Sequence, residues 1–264
     1  MTDPASPTTT PRPDLPEAPD APATAPPPAT AQAPTAAPTG RRPFAAAWRA
    51  LVALAALTGV ALDTIESDDL GRLFGYFTVQ SNLLLAIACA WSAHRAWTGR
   101  PALSPRITGG ALLYISITGL VFHFVLSNDS SGFAMTSERT PLESVANHLL
   151  HTVTPLAAAL DWLVLTAPGG FLLRHAGQWL AYPFLYLPFA LIRGALLDPG
   201  TEGRYPYPFL DVDLHGYAGI LGNAVVFGLA FYTLALVLVL LDRVRPHPHR
   251  SRNRISPPGS GPLK

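Results

Sequence analysis

Residues 217–241 read YAGILGNAVVFGLAFYTLALVLVLL, a run without one Asp, Glu, Lys or Arg. Crossing the hydrocarbon of a bilayer takes about 20 consecutive, mostly apolar helical residues, so this stretch predicts a transmembrane helix. Working back along the chain, runs of the same kind lie at 44–62, 75–97, 107–127, 144–166 and 178–197. The expected fold class is all-α: a polytopic membrane bundle of six transmembrane helices within 41–245. Only 13% of the 264 residues are charged, and they gather in the breaks and the tails. A soluble helical domain would spread them over one face of every helix. Pro183 and Pro188 each remove a backbone donor and predict a kink in the fifth span. Arg49 lies inside the first span, and its stem is expected to carry the charge back to the headgroups.

Two tails flank this region. Residues 1–40 hold 12 Pro, 10 Ala and 8 Thr; such a segment buries too little surface to offset its ordering entropy, and a disordered tail is expected. Residues 246–264 form a second, basic tail. Arg41-Arg42 before an apolar run resembles a twin-arginine export signal, but five more spans follow without a clear cleavage site, so the pair reads better as the charged flank of the first helix. The single cysteine, Cys89, excludes an intrachain disulfide. A net charge of +1 gives no reason to expect a nucleic-acid partner.

The basic residues set an orientation. The segments 63–74, 128–143 and 198–216 hold eleven carboxylates and only Arg72, Arg139 and Arg204, whereas Arg41, Arg42, Arg95, Arg100, Arg106, Arg174, Arg243 and Arg245 flank the spans on the other side. Positive flanks stay inside, which places both termini in the cytoplasm.

Polar side chains within the spans gather at one depth, toward the outer side. The second span opens Tyr76-Phe77-Thr78-Val79-Gln80-Ser81-Asn82, with Thr78, Ser81 and Asn82 on one face. His123 sits near the outer end of the third. The fourth carries Asn147, His148, His151 and Thr154. Tyr207 and His215 lie before the sixth. Each has an ordinary structural reading, as an interhelical tie or an interfacial anchor. Together they predict a polar cavity opening toward the outer leaflet. The inner half looks plainer, apart from Asp161 and Trp162. His148 and His151, with His123, His215, Asp211 or Asp213, are a weak alternative as zinc ligands; no metal or other cofactor is expected.

Tyr76-Phe77-Thr78-Val79-Gln80-Ser81-Asn82, Asn147-His148-Leu149-Leu150-His151-Thr152 and Tyr207-Pro208-Phe209-Leu210 resemble the androgen-induced-protein-like membrane family, in its bacterial branch, across roughly 44–241. Animal members are intramembrane threonine hydrolases that cleave fatty acid esters of hydroxy fatty acids. The resemblance implies Thr78 as nucleophile, His151 as its base and a membrane fatty ester as substrate; the Gln80-Ser81-Asn82 run departs from the animal pattern. Independently of the resemblance, a threonine hydroxyl needs a base within reach to attack, and both residues fall near one level. Ser81, Asn82 or Asn147 are candidates to orient the imidazole or bind an oxyanion, and His123, His148, Tyr207 and His215 to line the site. The rival reading is a non-catalytic membrane protein, a proton or small-molecule carrier or a lipid-binding scaffold.

The charge bias gives a direct test. A reporter enzyme fused after Lys264 should be active only in the cytoplasm, and one inserted in 128–143 only outside; the reverse pattern overturns the orientation.

Overall fold

The structure is a computed structural model describing residues 40–135 and 139–246. The two predicted tails lie outside the described residues except for Gly40 and Pro246. The described residues fold into long helices: α1 (Pro43–Glu66), α2 (Phe77–Trp97), α3 (Pro105–Leu126), α4 (Pro141–Leu165), α5 (Leu173–Leu196) and α6 (Val212–Val244). All but α2 are long and apolar enough to cross a membrane. Thus five of the six expected spans meet that measure. The sixth, α2, has 21 residues but opens on Thr78, Gln80, Ser81 and Asn82 and ends on His94 and Arg95, which lower its mean hydropathy. Exposed large apolar residues run along the helices, such as Leu54, Ile87, Phe124, Leu156, Leu185 and Val226. Surfaces of this kind are a cost in water and none in lipid.

Local sequence starts and stops the helices. Pro43, Pro105 and Pro141 sit in first turns, where no amide donor is needed. Thr140 and Glu143 form a capping box, with Thr140 Oγ1 accepting from the Glu143 amide at 3.1 Å and Glu143 accepting from the Thr140 amide at 2.7 Å. Asp211 caps α6 through the Asp213 amide at 2.9 Å. Gly216, at φ +62°, breaks the helical path just inside α6; a side chain there would be strained.

The expected kink in α5 falls at Leu180, between Leu173–Trp179 and Ala181–Leu196. Pro183 lacks the amide that would bond the Trp179 carbonyl, so the ladder is interrupted one turn before it. Pro188 lies within the second piece. In α4, residues Leu149–Val153 widen into a π-helical turn. Pro155 cannot donate to the carbonyl of His151, four residues back, which favours that local rearrangement.

The helices alternate in direction. One end of the bundle holds the starts of α1, α3 and α5 and the ends of α2, α4 and α6. There the Arg42 amide donates to the Ala96 carbonyl and the Gly169 amide to the Asp242 carbonyl. α1 lies along α2 on alanines (Ala53, Ala56, Ala86). Its Gly59 meets α4 so closely that a Cβ would stand 2.6 Å from Leu150 Cδ2. The main core, with Leu113, Ile115 and Trp179, centres on α3.

That same end carries a buried polar cluster which corrects the expectation of a plain inner half. Arg49 does not reach out; it is buried and donates through Nε to Asp161 at 2.9 Å. Thr166 Oγ1 donates to the other Asp161 oxygen at 3.2 Å. Asp242, only 1% exposed, accepts from Trp162 Nε1 at 3.0 Å, from the Phe171 amide at 2.9 Å and from Arg245. Arg245 also lies over the Trp162 ring. A charge left alone in an apolar interior is costly, and a paired one far less so; the pairs make Arg49 and Asp242 compatible with their depth.

Removing one partner should therefore hurt more than removing both. Asp161→Ala is expected to destabilise the protein by about 3–5 kcal/mol, and Arg49→Leu combined with Asp161→Leu to recover much of the loss. Thermal unfolding in detergent micelles measures both; equal losses in the single and double variants would show that the pair is not what stabilises this end.

Candidate active site

The opposite end of the bundle brings Thr78 and His151 together. Thr78 lies in the first turn of α2, where backbone amides have no intrahelical partner. Two phenols fill that role. Tyr186 from α5 accepts from the Phe77 amide at 3.2 Å and donates to the Gly75 carbonyl at 2.8 Å. Tyr207, from the segment between α5 and α6, accepts from the Thr78 amide at 3.3 Å. Thr78 Oγ1 is 3.2 Å from His151 Nε2 and 3.4 Å from the Tyr207 hydroxyl.

The imidazole is oriented from its other side. His151 Nδ1 is 3.1 Å from the Asn147 carbonyl. A carbonyl only accepts, so Nδ1 carries the proton and Nε2 of the neutral ring is left to accept from Thr78. The His151 ring also packs against Phe122, with centroids 4.2 Å apart. Hydroxyl, imidazole and backbone carbonyl thus stand in the order that activation of a hydroxyl requires. His151 sits in the widened turn of α4, and Gly119 of α3 lets the two helices close on it: a Cβ there would be 3.2 Å from the His151 carbonyl oxygen.

Asn82 and Ser81 are occupied in holding this geometry. Asn82 Nδ2 donates to the carbonyls of Thr78 at 2.9 Å and Leu150 at 3.2 Å, and its Oδ1 accepts from Thr154 Oγ1 at 2.7 Å. Both Asn82 and Thr154 are fully buried. Ser81 pairs with Thr118 of α3 at 2.7 Å and lies 3.0 Å from the Thr78 carbonyl. These side chains are positioning residues with no donor left over for a substrate. Asn147 serves His151 through its backbone.

The remaining histidines do not converge. His148 is exposed, with Nδ1 2.7 Å from the Ser144 carbonyl. His123 is exposed and contacts Thr152 at 3.1 Å. His215 is exposed and lies edge-on to Phe133. The shared inward orientation expected of His123, His148 and His151 thus holds for His151 alone. Among the described residues no group of three or more His, Cys, Asp or Glu is gathered as a metal site. Asp213 instead accepts from Arg204 at 2.7 Å, and Arg193 donates to the carbonyls of Gly203 and Arg204; these contacts fold the segment that carries Tyr207.

Thr78 and Tyr207 are among the residues lining a cavity of about 100 Å³ between α3, α5 and α6. Beyond Thr118, Tyr186 and Asn223 its walls are apolar, including Ile117, Leu187, Phe227 and Phe231. Burial pushes the Tyr207 hydroxyl up to about 12, against the opposing effect of its hydrogen bonds to Thr78. It therefore keeps its proton at neutral pH and, having accepted from the Thr78 amide, can still donate. Tyr186 escaped the sequence reading because a tyrosine in an apolar helix has no pattern that sets it apart from an interfacial anchor. Asp242 escaped it because it ends the longest apolar run and resembles a headgroup flank.

No family model matches this chain, and comparisons with curated proteins and with solved structures give no match.

The Asn82 junction can be tested apart from any activity. Asn82→Leu would take one partner each from the Thr78 and Leu150 carbonyls and the Thr154 hydroxyl, which keep the Ser81 contact and the Thr154–Leu150 contact, at a cost of about 1 kcal/mol. Thermal unfolding should fall accordingly, and an unchanged melting temperature would deny Asn82 this role.

Proposed function

We propose that the protein is a six-span membrane hydrolase that cleaves lipid esters through an acyl-threonine intermediate, with both termini in the cytoplasm. The single observation that carries the reading is the 3.2 Å approach of Thr78 Oγ1 to an imidazole whose other nitrogen is held by a carbonyl. The resemblance to the androgen-induced-protein-like family points to the same two residues. The sixth span would be α2: at about 1.5 Å per residue its 21 residues reach about 31 Å, and its polar first turns face protein partners instead of lipid. The Lys and Arg bias puts Thr78 on the outer side.

In this mechanism Thr78 Oγ attacks the ester carbonyl while its proton passes to His151 Nε2. The carbonyl oxygen takes the displaced electron pair, and the Tyr207 hydroxyl, 3.4 Å from Thr78 Oγ1, is the donor assigned to stabilise it. Collapse expels the alcohol, which takes the proton back from His151 and leaves the acyl group on Thr78. Water then attacks that ester with His151 again as base, releasing the fatty acid and restoring the threonine hydroxyl. The threonine, imidazole and phenol need no metal to balance this cycle. A carrier would instead need a polar route continuing through the bundle; at the far end the polar groups on view are tied up in ion pairs.

Labelling of membranes with a fluorophosphonate probe tests the reading. Thr78→Ala should abolish labelling, Thr78→Ser should keep part of it, and His151→Ala should lower ester hydrolysis by at least about 100-fold. Because nucleophile and base act together, the double variant should lose little more than either alone. Activity should fall on the acid side as His151 becomes protonated. It should not fall toward pH 10, since burial holds the Tyr207 hydroxyl well above the usual phenol range. Full ester hydrolysis by Thr78→Ala would overturn the mechanism, and no hydrolysis of any long-chain ester by the wild type would favour a scaffold or carrier.

A further inference from the structure

The cavity that Thr78 helps to line runs along the helices. On α3 its lining extends from Leu126 to Ile117, and on α6 from Asn223 to Phe231; at about 1.5 Å per residue each stretch covers roughly 12–14 Å. The lining is apolar almost throughout and includes Leu180, Pro183, Phe184 and Gly228. Phe184 is 59% exposed although it lines the cavity, so the cavity reaches the lateral surface of the bundle between α5 and α6.

Gly228 stands at that opening. Some glycines of the bundle serve close packing: a Cβ on Gly59 would collide with Leu150, and one on Gly119 would press on Pro155, whereas Gly177 and Gly222 face open space outside the cavity lining. At Gly228 a Cβ would meet only Phe184 Cε1, at 4.0 Å. Glycine is a poor helix former, and helix approach does not require it here. What its missing side chain leaves is the gap beside Phe184.

We propose that this gap admits an acyl chain sideways from the bilayer, and that Gly228 and Phe184 set how much of the chain the cavity accepts. The ligand class is a single unbranched hydrocarbon chain, lying beside α6 with its carbonyl end at Thr78 and Tyr207. A cavity of this shape has little to offer a polar solute: Asn223, its one amide side chain, already donates to the Phe209 carbonyl at 2.9 Å. A chain drawn from the surrounding lipid enters without crossing water.

Two measurements separate this inference from the hydrolase reading on which its kinetic arm rests. With wild-type protein in phosphatidylcholine vesicles, a fatty acid bearing a terminal diazirine should crosslink to residues of Phe184–Leu187 and Phe227–Phe231. Gly228→Leu should lower that labelling at least about tenfold, the scale on which a pocket discriminates a methylene or more. In ester hydrolysis, Gly228→Leu should lower the long-chain to short-chain rate ratio by a similar factor, and Phe184→Ala should raise it. Crosslinking that depends on Gly228 in a protein without hydrolase activity leaves the acyl slot standing and removes the enzyme. Hydrolysis with unchanged chain preference in both variants, or labelling spread over every lipid-facing helix alike, overturns the slot.

Discussion

Asn82 is the point on which the geometry of the site turns. A fully buried amide in an apolar bundle must find partners for both its ends, and Asn82 finds them on two helices at once. Its donor end ties the Thr78 and Leu150 carbonyls together, and its acceptor end holds Thr154. Because Leu150 and Thr154 bracket His151, the same contacts that satisfy Asn82 fix the imidazole's helix against the start of α2. The 3.2 Å separation of Thr78 and His151 is therefore a consequence of a structural tie. In a low-dielectric interior such a tie is stiff, since swinging the amide away would leave Asn82's own donor and acceptor groups to find new partners.

The two ends of the bundle solve the same problem differently. Around Thr78 the polar groups are neutral and linked in hydrogen-bonded chains, phenol to amide and hydroxyl to amide. Around Asp161 and Asp242 they are ionic and paired. The neutral end leaves one hydroxyl and one phenol with capacity to change partners, which a reaction needs. The ionic end has its carboxylates fully engaged: Asp161 by Arg49 and Thr166, Asp242 by Trp162, the Phe171 amide and Arg245. That division gives the molecule a stiff base and an adaptable head.

Much of this was legible in the sequence, for identifiable reasons. Long apolar runs without charge fix where helices lie, so five spans emerge with boundaries displaced by only a few residues. Thr78, Ser81 and Asn82 share a face by simple periodicity. The histidines were harder. His148 follows Asn147 in the same polar string as His151, and helical spacing alone put them side by side; His148, the last residue before the widened turn at Leu149–Val153, falls on the exposed side. Arg49 and Asp161 are 112 residues apart, and no local pattern announces such a partner. Tyr186 and Tyr207 meet α2 from distant segments; Tyr207 is legible as a candidate lining residue, but nothing in the sequence marks Tyr186.

The widened turn has a consequence for the whole fourth helix. Each extra residue in a helix advances everything after it by about 100°. Trimming one residue from Leu149–Val153 would tidy the backbone hydrogen bonding locally, yet rotate the rest of α4 by that angle. Asp161, ten positions beyond His151, would then point away from Arg49 and strand a buried cation in the core. The irregularity that aims the imidazole is thus locked in place by an ion pair at the other end of the bundle, and the helix works as a keyed shaft: cut to fit at both ends, it cannot be turned at one without being forced at the other.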